Sequence, residues 1–393
     1  MNVGVVTDFY FPWIGGPSTV IANITQGLSS RGHEVHLLAP SPDGPGGDER
    51  EAAVSVTRAP TVPLPVGYRL RIARTPVASV SRWLDSCRPD VVHVHHPFPL
   101  SAAAILVARH RGIPVVATNH TIPACSLWGL RDVPLLYPAA VTGFGRWIRF
   151  LLDRCTLVAT PTRSAARELE HLGYDRPVSV ISNGVDAERF QPGPAPTKLR
   201  ESLGLDGSPV VLYTGRLDAE KQMDVWLTAA RLVGRSREVQ FVVGGEGTDR
   251  TRLEHLAGEL GIQDRTRFIG YVDEDTLPEL YRLADVYCIT SPVELQSIAT
   301  LAALATGIPV VAVDAGALPE LVDDGKNGRL AAPGSASDVA EALEWVLDTP
   351  DRMHMGEVSR EIALLHDLQA TIVQYEQLLE KAFADTKRGN AAA

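Results

Sequence analysis

The stretch from Ile289 to Val313 constrains the fold more than any other part of the chain. An apolar strand from Asp285 to Thr290 runs into a polar turn that carries one acid, Glu294. An Ala- and Leu-rich helix follows and is expected to stop at Gly307, because a residue without a Cβ takes positive φ at little cost. Pro309 forbids continuation, and Ile308 to Val313 reads as the next strand. Strand, helix and strand in this order make a βαβ unit. Its turn sets an acid and helix-end backbone N–H groups where strand becomes helix. Helix N-termini hold anions, since their first amides lack partners and the dipole is positive there.

The same alternation recurs along the chain. Asn2 to Asp8 reads as a buried strand, followed by a loop with Gly15-Gly16-Pro17. A helix from about Ser18 carries Ile21, Ile24 and Leu28 on one face, and Glu34 to Leu38 is the next strand. This opening is doubly wound in type. Further strands are expected at Val54 to Arg58, Asp90 to His95, Ile113 to Thr118, Thr156 to Thr160 and Val178 to Ile181. Ser41 to Glu51, rich in Gly, Pro and Asp, reads as a mobile loop. Tyr68 to Leu84 reads as a helix exposing Arg69, Arg71, Arg74 and Arg82.

Gln191-Pro-Gly-Pro-Ala-Pro-Thr197 reads as the domain boundary, because Pro and Gly clusters block regular structure. Strands then restart at Val210 to Thr214, Val239 to Val243 and Thr266 to Ile269. The expected division is an N-terminal domain over 1–190, a linker over 191–198 and a second domain over 199–356. Ser337 is expected to cap a helix with Val339, Leu343, Val346 and Leu347 on its apolar face. A final helix over 357–383 is expected to return to the first domain.

Composition narrows the function classes. A formal net charge of −10 argues against bulk attraction to nucleic acid. Cys87, Cys125, Cys155 and Cys288 show no C-x-x-C spacing and read as reduced thiols of a cytoplasmic protein. The N-terminus lacks a basic region and a long apolar run, so no signal peptide is expected. No apolar stretch reaches membrane-spanning length.

Several short motifs carry chemistry. Gly215-Arg216 with Glu220-Lys221 follows a strand; a cation pair at the mouth of a parallel sheet can neutralise a diphosphate, whereas an isolated pair would read as a surface salt bridge. Asn119-His120 sits just past a strand end, where a histidine is commonly structural. His93, His95 and His96 raise a metal-hydrolase alternative, but no convincing set of carboxylate partners accompanies them. Asp273-Glu274-Asp275 contains D-x-D, yet it precedes a helical pattern and reads as a cap. Val141 to Leu152 mixes Trp, Phe and Arg, which fits core packing or an interfacial helix.

Taken in order, these pieces resemble the retaining glycosyltransferases of the GT4 family. The marks are Gly15-Gly16, Asp90-Val-Val-His-Val-His95, His120, Ser182-Asn-Gly-Val-Asp186, Gly215-Arg216 with Glu220-Lys221, Gly244-Gly-Glu-Gly247, Gly270-Tyr271-Val272, Glu294 and Gly307-Ile-Pro-Val-Val311. The resemblance implies an α/β protein of GT-B fold, with two facing Rossmann-like doubly wound domains and a C-terminal helix crossing back to the first. It implies a metal-independent hexosyl transfer from a nucleotide-diphosphate sugar, of the UDP-glucose or GDP-mannose type, with no further cofactor. Arg216 and Lys221 would hold the donor phosphates, Glu294 the sugar hydroxyls, and His120 would lie near the reacting centre. Gly15, Gly16, Gly215, Gly245, Tyr271 and Val272 would line the nucleotide sugar, with the backbone of Leu295, Gln296 and Ser297. The acceptor would be a hydroxyl of a glycan, lipid or small molecule, with peripheral membrane contact as an accompanying expectation. One departure is plain: the family's second Glu, which grips the nucleotide ribose, is Ala302 here. That departure keeps open a weakly active or non-catalytic homologue. The shared architecture also keeps open a nucleotide-sugar epimerase.

Overall fold

Runs of Val, Ile, Leu and Ala between turn residues build both sheets, and burial on both faces explains why these strands do not alternate in polarity. The computed structural model describes the chain except residues 13–14, 52, 64–70, 132 and 393, and the side chains of 389–392. The chain folds as two units, Met1–Asn183 with Gln369–Ala393, and Gly184–Leu368.

In the first unit the strands are β1 (Asn2–Val6), β2 (Glu34–Pro40), β3 (Gly47–Glu51), β4 (Val54–Ala59), the short pair β5 (Thr61–Pro63) and β6 (Arg71–Ala73), β7 (Val91–Val94), β8 (Val115–Thr118), β9 (Leu157–Thr160) and β10 (Val178–Val180). Among the described residues the main sheet has the order β10-β9-β8-β7-β1-β2-β4-β3. It is parallel except for β3, which runs antiparallel to β4. The helices are α1 (Gly16–Ser30), α2 (Pro76–Cys87), α3 (Pro99–His110), α4 (Pro123–Ser126), α5 (Leu136–Leu152) and α6 (Arg163–His171). The strand order reverses between β1 and β7, which opens a crevice beyond their C-terminal ends.

The second unit contains α7 (Thr197–Ser202), β11 (Val210–Thr214), α8 (Met223–Ser236), β12 (Gln240–Gly244), α9 (Arg250–Glu259), β13 (Thr266–Gly270), α10 (Leu277–Leu283), β14 (Val286–Ile289), α11 (Ile298–Ala305), β15 (Val310–Val313), β16 (Gly328–Ala331), α12 (Ala336–Asp348) and α13 (Arg352–Leu364). Its sheet, in the order β13-β12-β11-β14-β15-β16, pairs in parallel throughout the described residues. The reversal lies between β11 and β14. The organising βαβ unit is therefore β14-α11-β15, and α11 ends in a Schellman cap, with Ile308 N–H donating to Ala303 O at 3.1 Å and Gly307 N–H to Leu304 O at 2.9 Å.

Five sequence expectations are corrected. The loop expected over Ser41 to Glu51 ends in β3, an edge strand whose Glu49 and Glu51 pair with Arg58 across β4. The helix expected over Tyr68 to Leu84 starts later, at Pro76, because Arg71–Ala73 is drawn into a strand against β5 and Arg71 Nε donates to Thr61 Oγ1 at 2.8 Å; Tyr68, Arg69 and Leu70 lie outside the described residues. Ser335, not Ser337, caps α12, accepting from Asp338 N–H. The last helix is broken into α13 and α14 (Leu368–Ala392), because His366 and Leu368 bond to both polar backbone groups of Val185 instead. The chain changes unit at Asn183–Gly184, upstream of the Pro-rich stretch Gln191–Thr197. Arg360 holds that upstream segment to the second unit, donating to the carbonyls of Ala187 at 2.7 Å and Phe190 at 2.7 Å. Helix α14 belongs to the first unit, where Tyr375 packs on His93 and Glu376 meets Arg31 and His33.

Candidate active site

In the second unit, the loops after β11 and β14 meet at the reversal of strand order. The β11 loop turns through a single 3-10 turn at Ala219–Lys221. The buried Thr290 at the end of β14 pins it, its Oγ1 donating to the carbonyls of Lys221 and Gln222, each at 3.1 Å. This brings Lys221 Nζ to 2.6 Å from Glu294 Oε1 across a sequence separation of 73 residues. Arg216 stands beside them, with Nη2 at 2.5 Å from Glu220 Oε1 and Nη1 on Asp218. Asp218 is buried and also accepts from Thr248 N–H at 3.0 Å and Thr248 Oγ1 at 2.9 Å.

The electrostatics follow from burial. Desolvation pushes the Glu294 carboxyl up, but Lys221, the Ser291 hydroxyl and Arg216 outweigh it and hold the group below its usual range. Glu294 is therefore ionised at neutral pH. The cluster sets two cations, Arg216 and Lys221, against three carboxylates, Asp218, Glu220 and Glu294. Arg216 stays 39% exposed, so its guanidinium presents a face outward while two acids fix its plane.

Gly215 and Gly245 have a packing reason for being glycine. Gly215 N–H donates to Gly244 O at 3.0 Å and Gly245 N–H to Gly270 O at 2.7 Å, which stacks three strand-end loops. A Cβ on Gly245, at φ 137°, would sit 1.8 Å from Gly215 O. Gly316 plays the matching part behind Glu294: at φ 57°, its Cβ would lie 2.8 Å from Glu294 O, and the neighbouring Ala317 N–H donates to that oxygen at 2.9 Å.

Ser297 is the N-cap of α11, and its hydroxyl accepts from Thr300 N–H at 3.1 Å. Leu295 and Gln296 thus lie in the turn ahead of the helix rather than in its first turn. One helix-end amide is already taken by the cap, so fewer amides face outward than the sequence suggests. Ala302 is buried inside α11. Past β13, Tyr271 is 54% exposed while Val272 packs against the core. Asp273 accepts from Thr276 N–H and Oγ1, each at 2.9 Å, and so closes the turn ahead of α10 rather than capping it, since the N-cap residue is Thr276 and makes no side-chain cap.

In the first unit, the candidate residues also gather at the C-terminal edge of the sheet, around β1, β7 and β8. Gly15 caps α1, with its carbonyl accepting from Ser18 N–H at 3.0 Å. Asp8 after β1 accepts from Leu100 N–H at 2.8 Å and Ser101 N–H at 3.1 Å, at the start of α3. Burial lifts its carboxyl to about 6 against these hydrogen bonds. His120 follows β8, and its Nε2 lies 3.2 Å from His95 Nδ1, with the rings nearly parallel. His93 Nε2 lies 2.7 Å from Thr118 Oγ1. Burial lowers His93 to about 3 and His120 to about 4, and pushes His95 and His96 well down, so all four imidazoles are neutral at physiological pH. Among the described residues, no group of three or more His, Cys, Asp or Glu side chains is arranged to hold a metal ion.

The structure thus brings together Arg216, Lys221 and Glu294 in one unit, and His120 with His95 and His96 in the other. Sequence reasoning missed Asp218, Thr290, Gly316 and the His95–His120 contact. Only Asp218 carried a local signal, being an acid two positions beyond Arg216 in a strand-end loop.

The comparisons with known proteins agree with this arrangement. Residues 14–189 match the model of Glycosyltransferase Family 4, and residues 196–361 match that of Glycosyl transferases group 1. A GDP-mannose-dependent alpha-mannosyltransferase of Corynebacterium glutamicum is 28% identical over 354 residues, covering 88% of this chain and 81% of the relative. A phosphatidyl-myo-inositol mannosyltransferase of Mycolicibacterium smegmatis is 31% identical over 383 residues, covering 95% of this chain and 91% of the relative. The solved sucrose-phosphate synthase of Thermosynechococcus elongatus superposes with a TM-score of 0.82 at 20% identity, covering 98% of this chain and all of that one. No support for an epimerase comes from these relatives. With the strand-end cation–acid cluster and both Rossmann-like units in place, the chain belongs to the GT4 family and is a glycosyltransferase of GT-B fold.

Proposed function

We propose that the chain moves a hexosyl group from a nucleoside-diphosphate sugar to an acceptor hydroxyl with retention of configuration. GDP-mannose is the first candidate donor, because the Corynebacterium relative is named for it, and UDP-glucose is the second. The supporting observation is the Lys221–Glu294 pair at 2.6 Å beside Arg216, at the reversal of strand order in the second unit. There Arg216 and Lys221 take up the negative charge that develops as the bond from the anomeric carbon to phosphate breaks. Glu294 accepts hydrogen bonds from sugar hydroxyls and keeps Lys221 oriented. The acceptor oxygen bonds to the anomeric carbon on the face the phosphate leaves, and its proton passes to the departing phosphate oxygen. A thermal-shift and hydrolysis screen of nucleotide sugars, run on the wild type and on Arg216→Ala, tests the reading. Equal stabilisation of both proteins by the best donor would overturn the phosphate assignment.

For the acceptor, a lipid hydroxyl is the reading with an observation behind it. Leu136, Ala139, Gly143, Trp147 and Phe150 fall on one exposed stripe of α5, away from its buried Ile148, Leu151 and Leu152. Leu135, at 87% exposure, extends the stripe, and exposed Arg146 and Arg149 flank it. Apolar side chains edged by arginine suit the surface of an anionic bilayer. The smegmatis relative is itself named for a phosphatidyl lipid. No described helix is long and apolar enough to cross a membrane, so contact of this kind is peripheral. Co-sedimentation with phosphatidylglycerol vesicles should fall sharply in W147S/F150S and be unchanged in a control surface variant such as T228S. Equal sedimentation of the stripe variant and the wild type would rule the lipid surface out.

A further inference from the structure

The histidine cluster of the first unit contains a directed hydrogen bond whose polarity can be worked out. His95 is fully buried, and its Nδ1 lies 3.2 Å from His120 Nε2. Two neutral imidazoles share one proton across such a contact, so one ring donates and the other accepts. The other ring nitrogen of His95, Nε2, is buried with no hydrogen-bond partner among the described residues. If His120 were the donor, neutral His95 would carry its proton on Nε2. That would bury an N–H without an acceptor, an arrangement native structures rarely tolerate, whereas an unpaired lone pair is tolerated more often. The neighbouring His93 ring, 4.1 Å away between centroids, takes no such bond: its Nε2 meets Thr118 Oγ1 at 2.7 Å, and its Nδ1 is buried without a hydrogen bond to His95. The backbone around His120 is fixed as well. Asn119 Nδ2 donates to Thr121 O at 3.1 Å, and Thr121 N–H donates back to Asn119 Oδ1 at 3.3 Å.

We propose that His95 is a positioning residue: it donates Nδ1–H to His120 Nε2 and so fixes the proton of His120 on Nδ1. His120 then offers outward an N–H and no lone pair. It donates a hydrogen bond to a substrate oxygen and takes no proton from the acceptor hydroxyl. This last consequence rests on the transferase reading above; the tautomer itself does not.

The test uses the full chain with 15N-labelled histidine rings and two-bond proton–nitrogen correlation spectra near neutral pH. His120 is assigned by the signals lost in H120N. The expected wild-type pattern is a bare Nε2 and a protonated Nδ1. H95N should keep it, since an asparagine amide nitrogen occupies the place of Nδ1. H95L removes the donor and should shift His120 toward the Nε2–H form. A wild-type His120 protonated on Nε2 overturns the proposal, as does an unchanged pattern in H95L. If H95L does not fold, the wild-type spectrum alone decides. No nucleotide sugar is needed, so failure here and failure of the transferase reading are told apart.

Discussion

Lys221 Nζ and Glu294 Oε1 lie 2.6 Å apart, although one follows β11 and the other β14. Both side chains are mostly buried, at 15% and 12% exposure, so the pair is only lightly screened. Lys221→Ala leaves a charged carboxylate without its main partner. The loss should be about 3 kcal/mol, at the low end for breaking a buried pair because both groups keep some solvent contact. Urea unfolding of the chain measures it, and K221A/E294Q should recover much of the loss. If the double variant is as unstable as K221A, the pair is not the source. The carboxyl of Glu294 should also titrate at higher pH in K221A, since Lys221 is the chief group holding it down.

Arg216→Ala should weaken nucleotide-sugar binding by about 10- to 100-fold, in line with the ~1.5–3 kcal/mol of a hydrogen bond to a charged group. Arg216→Lys should restore part of that, because a point charge replaces a fork but not its geometry. Calorimetric titration with GDP-mannose and UDP-glucose checks both. The fold should survive either change, since the Arg216 side chain is 39% exposed and Asp218 keeps its bonds from Thr248.

Ala302→Glu bears on the family's missing second acid. Ala302 is buried in α11, so a glutamate there has no solvent in the empty protein. The variant should melt lower than the wild type without ligand, and gain more than the wild type on adding nucleotide. If the added nucleotide stabilises both equally, residue 302 does not face the ribose.

Gly245→Ala should be among the most damaging single changes. The added Cβ meets Gly215 O at 1.8 Å, and the backbone there has φ 137°. Moving one loop away from another and straining the backbone costs roughly 1–3 kcal/mol each. The displaced Gly215 is followed directly by Arg216, so donor affinity should fall together with stability. A stable variant with normal donor binding would show that the two loops do not need this approach.

The histidine cluster predicts an acid-labile first unit. His93 and His120 have folded values near 3 and 4, below the ordinary 6.5 of a histidine, so the unfolded chain binds protons that the folded one refuses. Their contribution is complete above pH 6.5 and is lost as pH falls toward those lower values, at about 1.4 kcal/mol per pH unit for each group that stays neutral. Asp8, raised to about 6, works in the opposite sense: stability attached to it is lost as pH rises from 3.8 to about 6. With four depressed histidines against one raised carboxyl, the melting temperature should drop between pH 7 and 5. His96→Phe keeps a ring between Phe9 and Phe98 and should flatten that slope in scanning calorimetry. A slope unchanged in H96F would count against the assignment.

Much of this molecule is written in local signals. The run Val210–Thr214, the stop at Gly307 and the restart at Val310 follow from burial patterns and backbone chemistry that act within a few residues. The same is true of the loop positions of Arg216, Lys221, Glu294 and His120, each a step beyond an apolar strand. The edge strand Gly47–Glu51 was not legible, because a polar strand is made by its partner: Arg58 supplies the charge that its acids need. The break between α13 and α14 was hidden for a similar reason, since it depends on Val185, far away in sequence.

The alternation of strands and helices, the chemical types available at each strand end, and the family those marks belong to can all be read along the chain. Tertiary structure alone decided which of those ends become neighbours. The order β12-β11-β14-β15 puts Lys221 against Glu294, and the order β1-β7-β8 puts His95 against His120. The reason is physical: helix and strand preferences act over short stretches of chain, whereas charge pairing, desolvation and the direction of a shared proton depend on distances that only strand order and packing set.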